Sequence, residues 1–102
     1  MAVTQEHIKK AVSIAKEYGA HRVVLFGSAL ENPDAAHDLD LAVEGVSGWE
    51  FYGFVADLNG KLGITVDVVP IDTIEENHIT REIRTYGKVI YDGSPQDVAY
   101  ES

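Results

Sequence analysis

The sequence predicts an α/β (α+β) domain, a small mixed β-sheet with helices packed on it. Two features lead there. Segments of helical and strand periodicity follow one another in the order helix, strand, strand, helix, strand, helix, and the strand runs are short, apolar and β-branched. A length of 102 residues with 45% hydrophobic content is enough for one core and too little for two. Residues 1–102 are therefore expected to form a single domain, with 93–102 a loosely ordered tail.

Thr4 is placed to cap a helix over 4–18, in which Ile8, Ala11, Val12, Ala15 and Tyr18 recur at helical spacing and Gly19 supplies the stop. Arg22 to Phe26 is a buried-strand run that ends in a turn at Gly27-Ser28. Small and turn-forming residues from Ala29 to His37, with Asn32-Pro33-Asp34 at their centre, predict a half-turn or loop. A second strand is expected over 38–43, where Asp38-Leu39-Asp40 alternates before an apolar end. Trp49, Phe51, Phe54, Val55, Leu58 and Leu62 fall near one helical stripe, so these aromatics and Tyr52 read as core and rim of a helix. Ile64 to Val69, closed by Pro70, is a third strand with Asp67 as its one polar interruption. Ile74, Ile79 and Ile83 suggest a helix over 74–86 ended by Gly87, followed by a short strand at 89–91.

Composition narrows the function classes. With no cysteine there is no disulfide framework, thiolate zinc site or thiol redox chemistry. No stretch approaches the ~20 apolar residues of a membrane helix, so a soluble, uncleaved cytoplasmic protein with no membrane partner is expected. Lys and Arg number 8 against 17 Asp and Glu, a formal net charge of −9. A field of that sign repels long nucleic acid, and a phosphate ligand must arrive with a cation. His7, His21, His37 and His78 lack paired metal-ligand spacing and read as surface residues. No feature sets an oligomeric state.

The acids carry the chemistry. Side chains two apart on a strand share a face about 6–7 Å apart, so Asp38 and Asp40 can reach one ion while Leu39 turns into the core. Carboxylates aimed at one spot repel each other unless a cation or proton intervenes, and Mg2+ prefers oxygen ligands of this kind. If the strand bearing Asp67 lies beside them, three acids converge, enough to position two ions for in-line phosphoryl transfer. Gly27 lets the backbone approach a ligand closely, and Ser28 adds a donor for phosphate oxygens.

Gly27-Ser28, a spacer, Asp38-x-Asp40 followed by Leu41-Ala42-Val43, and a later Asp67 together resemble the signature of the DNA polymerase beta-like nucleotidyltransferase superfamily. Within it the chain is similar to the minimal nucleotidyltransferase (MNT) family, partnered with HEPN-domain proteins in toxin-antitoxin pairs. The resemblance covers nearly the whole chain. It implies the polymerase beta-like fold, Gly27 and Ser28 holding the triphosphate, Asp38 and Asp40 binding both Mg2+ ions with Asp67 as the third ligand, and Asp67 orienting the incoming hydroxyl. The implied activity moves AMP from ATP to a hydroxyl of a HEPN-domain partner, which makes the chain an antitoxin.

Two positions depart from the pattern. His37 stands where a serine is usual, and Ala29-Leu30-Glu31 lacks the arginine common after Gly-Ser, with Arg81 and Arg84 as candidate replacements. Three other readings stay open: a non-catalytic antitoxin acting by contact, a nucleotide-binding module, and a nucleotidyltransferase for small molecules. The last needs an acceptor-binding domain for which about 100 residues leave no room.

Overall fold

Thr4 begins the chain's first element as a complete capping box. Its side chain accepts from the His7 backbone N–H at 3.2 Å, and its own N–H donates to His7 Nδ1 at 3.0 Å. That gives His7 a structural task. The computed structural model describes residues 2–46 and 48–93, and the expected tail over 94–102 lies outside the described residues. The elements are α1 (Gln5–Glu17), β1 (Arg22–Phe26), α2 (Ser28–Glu31), β2 (Asp38–Glu44), α3 (Trp49–Leu62), β3 (Thr65–Pro70), α4 (His78–Tyr86) and β4 (Lys88–Asp92).

The four strands form one mixed sheet in the order β3-β2-β1-β4. β1 pairs antiparallel with β2 and β4, while β2 and β3 run parallel with α3 as the crossover between them. Alternation along the strands sends Val23, Leu25, Leu39, Leu41, Val43 and Val66 to one face, where they meet Ala11, Ile14 and Ala15 of α1 and Phe54, Leu58 and Leu62 of α3. Burying each large side chain of this core contributes about 1.5–3 kcal/mol. The opposite face holds a smaller cluster of Val24, Ala42, Ile71 and Ile83, with α4 laid over it. This asymmetry leaves part of the second face open.

Three expectations are corrected. A short helix, α2, stands where a half-turn or loop was expected after Gly27. α4 starts at His78 and not at 74, because Asn77 accepts from the N–H groups of Ile79 and Thr80 and closes a capping box with Thr80. Ile74 and Ile79 are consequently exposed, and Ile83 alone of the three isoleucines enters the core. The aromatic stripe also divides: Phe54 is fully buried and Phe51 half-buried, whereas Trp49 and Tyr52 stand in solvent.

Candidate functional site

The two faces of β2 account for the placement of the acids. Leu39, Leu41 and Val43 are buried on the α1/α3 side, so Asp38, Asp40, Ala42 and Glu44 project from the other. Register then sets their neighbours. Asp40 faces Asp67 across the parallel β2–β3 pairing and Phe26 across the antiparallel β1–β2 pairing, making a row Asp67, Asp40, Phe26 on one face. α4 covers the later half of that face, over Ala42 and Val24, and Phe26 of the row packs against the cluster it buries. Asp38 and Asp67 are exposed and Asp40 is half-buried.

Crowding has an electrostatic consequence. The Asp40 carboxyl is held above the usual aspartate range, first by burial, then by the negative charges of Asp67 and Asp38, and last by a hydrogen bond with Asp67 that the protonated Asp40 can donate. Among the described residues, however, no group of three His, Cys, Asp or Glu side chains is arranged so that it could hold a metal ion. The two observations are compatible, since charge coupling acts over distances that ligation does not. The donor set, carboxylate oxygens with neither thiolate nor paired histidines, is the kind a hard cation such as Mg2+ takes.

Gly27 closes the site from the side of β1. Its backbone has φ 76° and ψ −155°, a region essentially reserved for glycine, and a β-carbon there would collide with the Asp40 carboxylate. It is also the N-cap of α2, its carbonyl accepting from the Leu30 and Glu31 N–H groups at 3.1 and 3.2 Å. Ser28 follows, exposed, at the first position of that helix. Gly27, Ser28, Asp38, Asp40 and Asp67 are thus brought to one corner of the sheet by β1, β2 and β3.

Arg84 does not replace the missing arginine. It donates to the Ile71 carbonyl at 3.1 Å and pairs with Glu44 at 3.7 Å and Glu76 at 3.6 Å, at the far end of β2 from Asp38. Beside Gly27 a groove of about 530 Å3 runs between α2 and α4, over Phe26, Leu30, Ile79 and Tyr86; its charged lining residues are Glu31 and Glu82, and Arg81 is not among them.

One positioning residue escaped the sequence reading. Asn59, on α3, donates through Nδ2 to Val66 O at 3.1 Å and to Val55 O at 2.9 Å, and accepts from Val66 N at 2.9 Å. It thereby satisfies the outer edge of β3 at the residue before Asp67. The available signal was a polar residue next to Leu58 on the apolar side of a helix.

No family model matches the sequence, and no curated protein matches it either. Solved structures do. The chain is similar to a toxin-antitoxin structure, MntA-HepT, with TM-score 0.69 and 20% identity over 92% of this chain and 76% of that one. It is similar to a toxin-antitoxin with AMP-PNP, with TM-score 0.71 and 18% identity over 90% and 78%. A complex of tri-AMPylated Shewanella oneidensis HEPN toxin with MNT antitoxin gives TM-score 0.69 and 21% identity over 94% and 77%. The chain therefore shares its fold, built on a mixed four-stranded sheet, with these toxin-antitoxin structures.

Proposed function

We propose that this chain is a metal-dependent nucleotidyltransferase that moves AMP from ATP to a hydroxyl of a HEPN-domain partner, as the cytoplasmic antitoxin of a toxin-antitoxin pair. The observation that carries this is the register of β2 on β3, which sets Asp40 opposite Asp67 with Gly27 pressed against Asp40. The similar complexes that hold AMP-PNP and a tri-AMPylated HEPN toxin support the nucleotide and the partner. No helix among the described residues is long and apolar enough to cross a membrane, which fits the compartment.

Asp38, Asp40 and Asp67, which do not form a ready ligand set in the unliganded chain, would draw together to hold Mg2+, which when bound supplies charge neutralisation for the triphosphate. Gly27 lets the chain turn beside the phosphates, and Ser28 with the first N–H groups of α2 donates to their oxygens. Asp67, exposed on β3, orients the acceptor hydroxyl toward the α-phosphorus. The acceptor oxygen forms its bond to that phosphorus as the bond to the departing pyrophosphate breaks, and the hydroxyl proton passes to a carboxylate or to water.

The test is to mix the chain with ATP, Mg2+ and the HEPN-domain protein of the same genome and to weigh the partner. A gain of whole AMP units, absent with Asp38→Asn plus Asp40→Asn, is expected. A partner of unchanged mass under all conditions would overturn the reading.

A second reading, neutralisation by contact without transfer, is favoured by one observation: the groove beside Gly27 is lined by Glu31 and Glu82 and by no cation. If the doubly substituted chain still silences the partner, contact is the mechanism.

A further inference from the structure

At the end of the sheet away from the acids stands an aromatic group that the fold does not use. Trp49, the chain's one tryptophan, is 88% exposed and Tyr52 is 70% exposed. Their rings lie 6.5 Å apart, and Tyr52 meets Phe51 edge-on at 6.0 Å. Together with Val46, Pro70 and Thr73 they line an open groove of about 470 Å3. Val46 follows the end of β2 and Pro70 ends β3, so the groove lies on the order of 10–20 Å along the strands from Asp40 and Asp67. Large exposed aromatics gathered in this way mark binding surfaces, because rigid rings offer much apolar area at little entropic cost.

The charge around the patch identifies what covers it. Glu50 lies between Trp49 and Phe51 in sequence, and Asp72 and Glu75 stand within two residues of Thr73, whereas Glu76 is paired with Arg84. Lys61 sits at the far end of α3, paired with Asp57. A second copy is a poor occupant, since a two-fold contact would bring Glu50 and Glu75 against their own images on chains that each carry −9. Arginine or lysine side chains satisfy both features, stacking on the indole and phenol faces while neutralising the flanking carboxylates.

We infer that the Trp49–Tyr52 patch is the docking surface for a basic protein partner, seated at the end of the sheet remote from the acids. This deepens the reading above by assigning where the partner of that site seats, and it rests on that reading only for the partner's identity.

Trp49 reports on its own environment, so tryptophan emission is the measurement. Two probes are titrated: the HEPN-domain protein of the same genome, and an arginine-rich peptide with a glutamate-rich peptide of equal length as control. Expected are a saturable change in emission and protection from acrylamide with both basic probes, weakened by salt and by Glu50→Lys plus Glu75→Lys. Trp49→Ala plus Tyr52→Ala should weaken partner binding ~30-fold or more, measured by calorimetry, with an unchanged melting temperature because both side chains are exposed. Emission that neither probe moves, or a partner that binds without moving it, would overturn the inference. So would emission that tracks the chain's own concentration, which would assign the patch to a second copy. Asp38→Asn plus Asp40→Asn should leave the Trp49 response intact, so loss of transfer with retained docking separates failure of the catalytic reading from failure of this one.

Discussion

Gly27 lies against Asp40 so closely that a β-carbon on the glycine would collide with the carboxylate Oδ2. The turn that ends β1 and the acid at the centre of the β2 row are therefore one packing unit. Gly27→Ala must pay for a glycine-only backbone region, about 1–3 kcal/mol, and for displacing Asp40 as well. Expected outcomes are a lower melting temperature and loss of nucleotide binding beyond what the destabilisation explains. A variant that melts lower but binds nucleotide normally would detach the glycine from the site.

Asp40 makes stability depend on pH in a set direction. Burial, then Asp67 and Asp38, hold its carboxyl above the usual range, so the folded state binds this proton more tightly than the unfolded chain does. The stabilisation is fully present below the unfolded pKa of about 3.9 and is lost as pH rises through the raised folded value. In chelator, Asp67→Asn should remove part of the repulsion and gain stability relative to the parent as pH rises from about 4 toward 7. An identical pH slope in parent and variant would remove Asp67 from this coupling.

Asn59 offers a test of positioning that touches no acid. Asn59→Ala leaves the Val66 N–H and carbonyl without their α3 partner, a cost of about 1–3 kcal/mol. For a domain of this size the melting temperature should fall by roughly 4–8 °C per kcal/mol. Because Asp67 is the next residue, Mg2+-dependent nucleotide binding should weaken further. Faster hydrogen exchange at Val66, with β1 and β4 unchanged, would locate the effect on β3.

Much of this site was legible because it depends on period and order. Alternation at Asp38-Leu39-Asp40 fixes which side chains share a face, and a lone acid within Ile64 to Val69 marks the strand that completes the set. What could not be read was long-range. The pairing of Asp40 with Asp67 depends on β2–β3 register, and the path of α4 across the second face depends on where Asn77 caps it. Trp49 shows the limit of periodicity from the other side: helical spacing put it on the core-and-rim stripe without saying which, and as the first residue of α3 it stands in solvent.

Arg84 separates scaffold from site. Its guanidinium ties α4 to the Ile71 carbonyl, Glu44 and Glu76, partly in solvent, so Arg84→Ala should cost about 1 kcal/mol of stability. The rise in melting temperature caused by nucleotide should be unchanged. A smaller rise would restore Arg84 as the missing phosphate cation.

The cation requirement of the site yields the most direct prediction. Asp38, Asp40 and Asp67 together repel a triphosphate, and the groove beside Gly27 adds Glu31 and Glu82 with no basic residue among its lining. ATP in chelator should therefore leave the melting temperature where it was. With Mg2+ present the charges are offset and the ligand stabilises the folded chain by mass action, about 2.7 kcal/mol at a hundredfold excess over Kd. At roughly 4–8 °C per kcal/mol, that is a rise of roughly 10–20 °C, lost in Asp38→Asn plus Asp40→Asn. Those substitutions also reduce repulsion and shift the unliganded melting temperature, so the ligand-induced difference carries the prediction. An equal rise with ATP in chelator would mean that backbone donors at Gly27 and Ser28 hold the phosphates unaided, and the three carboxylates would then have no part in binding.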